Sequence, residues 1–188
     1  MTSLLVIGPT KFADLPQAEV PSWVPPLLHE DEPGKDPAAP SPLGVRRALA
    51  RRLATLRVPA TVMEDHPQVE GESRNGKFDR VVREAGIDTY LTYWPCGGTL
   101  LGIAWELSHL TRRVQDERDE LEATALPIYA ETGVGDWDLE TGRFTFREEG
   151  NRTTYFEDLW LAGCPIFLWG SYDELWEAIE SRFALASG

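Results

Sequence analysis

An acidic side chain, Glu106, lies in an apolar stretch that follows a glycine-rich turn. The turn consists of Gly97, Gly98 and Thr99, and it separates a strand-like run from a helix-like run. The first N–H groups of a helix have no partner within the helix, and together with the helix dipole they suit an anion or a polar ligand. The sequence therefore predicts a ligand-binding turn with a carboxylate further along the same helix.

Polar and small residues continue along this helix at steps of three or four positions, which places them on one side of it. They are Thr99, Gly102, Glu106, His109 and Arg113. If this stripe lines a ligand crevice, Glu106 is placed to stabilise or trap an oxocarbenium ion, or to act as a base. Gly102, one turn before it, would leave room for the ligand. The alternative is a solvent-facing stripe in which Glu106 pairs with His109.

Apolar runs of strand length alternate with helical patterns along the chain. Strands are predicted over 4–8, 60–63, 89–93, 125–129 and 164–169. Helices are predicted over 43–56, 78–85 and 100–114, around 155–161, and from 171 to 183, where Ser171 to Glu174 match a capping box. This alternation predicts one α/β domain over residues 1–188, a flavodoxin-like three-layer sandwich with a five-stranded, mainly parallel sheet in the order 2-1-3-4-5.

That strand order places a switch point between strands one and three, and ligands bind outside the carboxyl ends of the strands at such a point. The loop after strand one and the glycine-rich turn after strand three both begin there. The residues expected to contact a ligand are Gly8, Pro9, Thr10, Cys96, Gly97, Gly98, Thr99 and Gly102, with Glu106 as the catalytic residue. The turn and the expected crevice therefore coincide.

Two segments are predicted to lie outside the three layers. Residues 16–42 hold eight of the fourteen prolines, which is typical of a long loop or lid. Apolar residues such as Trp23 predict that part of this segment packs on the domain. Residues 135–147 alternate in polarity around a Thr-Gly turn and predict a hairpin insertion. Trp23, Trp94 and Trp105 are either platforms for stacking on a base or core residues.

The two cysteines, Cys96 and Cys164, fall at opposite ends of the predicted sheet. A disulfide between them is therefore out of reach, and two free thiols fit a reducing compartment. Cys96 is also a second candidate for chemistry, since a thiol near a helix N-terminus ionises more easily. The alternative for Cys96 is a small buried residue.

The composition excludes several classes of partner. A net charge of −13 argues against binding to a nucleic-acid backbone, which needs clustered basic residues. No run reaches the roughly 18 apolar residues of a membrane span, and the first residues form a strand pattern rather than a signal peptide. A cytoplasmic protein is expected. His29, His66 and His109 are scattered, so neither a metal nor another cofactor is predicted.

One basic cluster does occur, on the first predicted helix. Its members are Arg46, Arg47, Arg51, Arg52 and Arg57. The opposite face of that helix is apolar, which favours a solvated helix face over a binding patch for these side chains.

Residues 102–109, Gly-Ile-Ala-Trp-Glu-Leu-Ser-His, resemble the Gly-Thr-Ala-x-Glu-Leu-Gly-Tyr stretch of the nucleoside 2-deoxyribosyltransferase-like family. The run from Leu4 to Pro9 is similar to that family's first strand and its Gly-Pro turn. TIR-type domains, which share the sheet order and cleave N-glycosidic bonds with a helix glutamate, are similar in layout. The resemblance implies that Glu106 is the nucleophile at the sugar C1′ of a nucleoside or nucleotide.

The chain departs from the family motif at Ile103, where the family has Thr, at Ser108, where it has Gly, and at Leu100, where it has Asp. Two functions therefore stay open. One is an enzyme that cleaves or transfers an N-glycosidic bond. The other is a non-catalytic nucleotide-binding or TIR-like interaction module, for which a homo-oligomer is a candidate assembly.

Overall fold

A computed structural model describes residues 3–9, 21–24, 41–96, 106–107, 109–110, 121–138, 143–146 and 164–184. The strands are β1 Ser3–Ile7, β2 Ala60–Thr61, β3 Ile87–Trp94, β4 Ile128–Glu131, β5 Gly135–Asp138, β6 Arg143–Phe146 and β7 Ile166–Trp169. The helices are α1 Pro42–Thr55, α2 Arg74–Ala85 and α3 Tyr172–Ala184, with 3₁₀ turns at Met63–Asp65 and Ala123–Ala125. Glu106, Leu107, His109 and Leu110 have helical backbones.

Some of the residues and elements predicted above lie outside the described residues. They are Thr10, Gly97, Gly98, Thr99, Gly102, Trp105, the helix around 155–161 and most of the lid.

The central sheet has five parallel strands in the order β2-β1-β3-β4-β7. This confirms the flavodoxin-like order 2-1-3-4-5 that the sequence predicts. The predicted hairpin is also present, as the antiparallel pair β5–β6 in a sheet of its own. Right-handed strand twist and short connections leave few other ways to place strands that alternate with helices.

Two apolar clusters, one on each face of the sheet, make up the core. Alternate side chains of β1 contribute to different clusters, with Leu5 and Ile7 in one and Leu4 and Val6 in the other. Helix α2 and the helical residues around 107–110 cover the first face, while α1 and α3 cover the second. This burial on both faces explains why β1 is a continuous apolar run rather than an alternating one.

Serine side chains cap the helices at their first turn. Ser41 and Ser73 accept a backbone N–H three residues ahead in α1 and α2. In α3, Ser171 accepts the Glu174 N–H at 3.2 Å, as the capping-box pattern predicts. The Glu174 carboxylate differs from that pattern, because it accepts the N–H of Gly170 at 2.7 Å instead of that of the capping serine.

Several element boundaries differ from those predicted, and two of the differences matter for the site. The second strand ends at Thr61, so that Glu64 lies on a 3₁₀ turn directly after it. The fourth strand begins three residues later than predicted and ends two residues later, at Glu131. Both shifts place a carboxylate at the carboxyl edge of the sheet. No helix among the described residues is long and apolar enough to cross a membrane.

A short part of the predicted lid is also described. Val24 is buried in the core beneath α1 and α3. Trp23 meets the ring of Tyr172 edge-on, with centroids 6.3 Å apart. The guanidinium of Arg52 lies 4.7 Å from the Trp23 ring and 4.3 Å from the Trp176 ring, a cation–π arrangement. The prediction that part of this segment packs on the domain is therefore confirmed.

Candidate functional site

The carboxyl ends of β1 and β3 approach each other closely at Gly8. A Cβ atom on this residue would lie 2.8 Å from the carbonyl oxygen of Tyr93 and 2.8 Å from Cδ of Arg46. Both separations are shorter than a real carbon atom tolerates, so only glycine fits. Gly8 and Pro9 are both buried. Gly8 therefore has a packing role that is visible in the structure, while its contact with a ligand stays a prediction.

Arg46 extends from α1 into the space next to Gly8, where it is completely buried. Its Nη2 donates to Glu64 Oε1 at 2.6 Å, and its Nη1 lies 3.5 Å from the carbonyl oxygen of Val6. The prediction that the arginine cluster forms a solvated face is wrong for this member. Its neighbour Arg47 is partly exposed and pairs with Asp65 near the surface, at 2.6 Å.

Glu106 is buried, with 7% of its surface exposed. The pKa of its carboxyl is raised from 4.5 to about 7, chiefly by burial; Arg46 and Arg74 act to lower it and Glu64 acts to raise it. The carboxylate of Glu106 therefore lies within electrostatic range of the Arg46–Glu64 pair. At neutral pH such a carboxyl group is present in both its protonated and its ionised form, which suits it to acid–base or nucleophilic chemistry.

The helix that carries Glu106 does not turn this side chain to solvent. His109, one turn further on, lies next to α2, where its Nε2 is 2.9 Å from Asp79 Oδ1. Its ring meets Phe78 edge-on at 5.2 Å. The alternative interpretation, a solvent-facing stripe in which Glu106 pairs with His109, is therefore wrong.

A second group of polar side chains lies at the carboxyl ends of β3 and β4. Glu131 is buried, and its Oε2 accepts the backbone N–H of Cys96 at 2.7 Å. Burial raises the pKa of this carboxyl, and the hydrogen bonds from Cys96 counteract that shift. The hydroxyls of Tyr93 and Tyr172 are 2.8 Å apart next to it. Sequence reasoning missed Glu131, since the apolar run that predicts the fourth strand ends before it.

Cys96 joins this group through its backbone N–H, which donates to Glu131. Its Sγ lies 3.9 Å from the carbonyl oxygen of Thr132. A nucleophilic role for Cys96 stays a prediction. Cys96 and Cys164 are not joined by a disulfide, as the sequence predicts.

The remaining candidates lie away from Glu106 or within the core. Trp94 is buried in the cluster on the α2 face, as its alternative interpretation as a core residue predicts. His66 Nε2 is 2.9 Å from Thr61 Oγ1 at the edge strand. An open groove of about 430 Å³ also lies at that edge, next to Arg47 and Arg51 of α1 rather than next to Glu106. Within the described ranges, no three His, Cys, Asp or Glu side chains are grouped as metal ligands would be.

Comparison of the chain with protein-family models, with curated proteins and with solved structures gave no match. What the structure establishes is the fold, a parallel α/β sandwich of flavodoxin-like strand order.

Proposed function

We propose that this protein cleaves or transfers the N-glycosidic bond of a nucleoside or nucleotide, with Glu106 as the nucleophile. What supports the proposal is the buried carboxyl group of Glu106, whose pKa burial raises to about 7, on the segment that follows β3 in a parallel sheet of this strand order. In proteins with this architecture, ligands bind outside the carboxyl ends of the strands. Titratable groups whose pKa is shifted towards neutral pH by burial and by neighbouring charges are enriched at functional sites.

The reaction proceeds in two displacements at the sugar. The ionised carboxylate of Glu106 forms a bond to C1′ while the bond from C1′ to the base nitrogen breaks, and the bonding electron pair leaves with the base, which takes a proton from water. Water or the nitrogen of a second base then attacks C1′ and displaces the carboxylate. A water attack gives the free sugar, and a base attack gives a new nucleoside.

Base release measures this activity directly. Purified protein is incubated with purine and pyrimidine nucleosides, their nucleotides and NAD, and the products are separated by chromatography. Glu106→Gln should abolish release, because a neutral amide is a far weaker nucleophile, and such losses are on the order of a thousandfold or more.

Glu72→Gln is the matched control, since Glu72 forms an ion pair with Arg80 at 2.8 Å and is not among the charged groups that shift the pKa of Glu106. It should keep full activity. Activity that persists in Glu106→Gln would exclude the nucleophile assignment.

The second candidate function is a non-catalytic nucleotide-binding or interaction module, which Leu100 in place of the family's Asp favours. Calorimetric titration with the same compounds separates the two. Nucleotide binding by wild-type protein without any base release would support the module and exclude the enzyme.

A further inference from the structure

The open groove of about 430 Å³ lies between helix α1 and strand β2, away from Glu106. Arg47, Arg51 and Ala54 of α1 line it, together with Ala60 of β2 and with Asp65 of the 3₁₀ turn. The alanines carry only a methyl group, so the space between the helix and the strand stays open. We call this space the edge groove.

Main-chain groups of β2 are unpaired beside the edge groove. Strand β2 lies at the end of the sheet order, and β1 is its neighbour. The N–H of Leu4 donates to the carbonyl oxygen of Pro59 at 2.8 Å. Successive residues of a parallel strand direct their N–H and C=O groups to alternate sides, so those of Ala60 point away from β1. Among the described residues they have no partner, and such an edge is a template for an added strand.

The edge groove carries excess positive charge on an acidic protein. Arg47 pairs with Asp65 at 2.6 Å, whereas Arg51 is exposed and forms no ion pair with any described residue. One positive charge of the lining therefore stays uncompensated. The whole chain has a net charge of −13, so the protein as a whole repels an acidic ligand that this groove attracts.

The spacing of the two arginines matches that of side chains on a strand. Arg47 and Arg51 are four residues apart, about 6 Å along the axis of α1. Alternate residues of an extended strand are about 6.6 Å apart. Helix α1 packs on β1 and β2, so acidic side chains at alternate positions of an added strand can each meet one arginine. A guanidinium has five N–H donors, and Arg47 can therefore hold a second carboxylate while it keeps Asp65.

We propose that the edge groove binds an extended acidic segment of a partner protein, which adds a short strand next to β2. Ala60 supplies the main-chain hydrogen bonds, and Arg47 and Arg51 select acidic side chains at alternate positions. Since β2 has only two residues, the added strand pairs over a short length, which suits a reversible interaction. The proposal does not depend on N-glycosidic chemistry at Glu106.

Fluorescence polarisation of synthetic peptides with full-length protein tests the proposal. The probe is a fluorescein-labelled peptide of threonine and valine with two glutamates two positions apart. An isomer with the glutamates three positions apart places them on opposite faces of the strand and should bind about fivefold more weakly. Methylation of alternate backbone nitrogens removes main-chain donors at unchanged charge and should weaken binding about tenfold. Equal affinity of the three peptides would overturn the proposal.

Variants of the protein locate the binding. Arg51→Gln should weaken probe binding about fivefold. The matched control Arg83→Gln removes the same charge from an exposed position of α2, which covers the other face of the sheet, and should leave the affinity unchanged. Ala54→Leu fills the groove from an exposed helix position, with little change in helix propensity, and should abolish binding. Urea unfolding checks the fold of each variant. Full affinity in both Arg51→Gln and Ala54→Leu would contradict the assignment.

A second copy of the chain is the other occupant that an open strand edge allows. Sedimentation of wild-type protein and of Ala54→Leu over a range of concentrations distinguishes the two occupants. We expect neither protein to form a dimer through this edge. A concentration-dependent dimer that Ala54→Leu disrupts would identify the second copy as the occupant and would exclude the partner segment.

Discussion

The buried carboxyl of Glu106 makes the stability of the protein depend on pH. Its pKa is about 7 in the folded chain and 4.5 when solvated, so the folded state holds its proton more tightly. The contribution of this group to stability is therefore full below about pH 4.5 and is lost as the pH rises through about 7. Above that pH, folding buries a charge.

Glu106→Gln should remove this dependence. At pH 5 the variant should have nearly the wild-type free energy of unfolding, because a neutral acid and an amide have similar shapes. At pH 8 the variant should be more stable, by on the order of 3 kcal/mol for a shift of this size. Urea denaturation at both pH values measures the difference.

Glu72→Gln is a control for which the expected change in stability has the opposite sign. The hydrogen bond from Arg80 lowers the pKa of Glu72, so this variant should lose stability at pH 8 rather than gain it. A Glu106→Gln variant with the same stability difference from wild type at pH 5 and pH 8 would contradict the titration described for Glu106.

The pH dependence of base release follows from the same group. A nucleophile must be ionised, so kcat/KM should rise about tenfold per pH unit below pH 7 and level off above it. Initial rates with one nucleoside between pH 5 and 9 measure the profile. A rate that falls through pH 7 would instead identify Glu106 as an acid that donates its proton.

Individual residues differ in how far the sequence predicts their roles. Glu106 is recognisable because it is the one acid in an apolar helical stretch. Arg46 is not, since its burial depends on Glu64, which lies 18 positions further along the chain, and its neighbours are exposed arginines. Glu131 is missed because the pairing of β4 with β3 and β7 extends that strand beyond its apolar run.

At the scale of elements, the contact between β1, β3 and α1 depends on the absence of a side chain at Gly8. Gly8→Ala should destabilise the protein by about 1–3 kcal/mol, because the Tyr93 carbonyl belongs to a central strand and cannot move away. Thermal or urea unfolding measures the loss.

Gly76→Ala serves as the matched control. Gly76 lies in α2, where a Cβ would meet only the side chains of Glu72 and Ser73 at 3.3 Å. Alanine there should be neutral or stabilise the helix by up to about 1 kcal/mol. Equal effects of the two substitutions would show that the close approach at Gly8 is not a constraint.

The existence and order of the elements are predictable from the sequence, whereas their ends are not. Apolar periodicity identifies α1, α2 and α3, because each helix buries one face, and a capping box at Ser171 marks the start of α3. Met63 and Ala125 belong to apolar runs that predict strands, yet both lie in 3₁₀ turns. A run of apolar residues indicates that a segment is buried but does not specify its backbone conformation. Hydrogen bonding to the neighbouring strands therefore determines where a strand begins.

At the scale of the whole molecule, the topology separates the two thiols. All five strands of the central sheet run in the same direction, so a residue that follows β3 and a residue that precedes β7 lie at opposite edges. Cys96 and Cys164 occupy these positions. Their separation follows from the alternation of strands and helices alone, which is why the sequence is sufficient to predict it.

Thiol titration should therefore show two free thiols that react at different rates. Cys96 is half-buried and should react in the folded protein, whereas Cys164 is buried in the core and burial raises its pKa to about 11. Since the thiolate is the reactive form, Cys164 should react only after unfolding. A disulfide reagent added to unreduced protein before and after denaturant should count one thiol and then two. Cys96→Ser should abolish the fast phase alone, and a count of zero in the unfolded monomer would contradict the sheet topology.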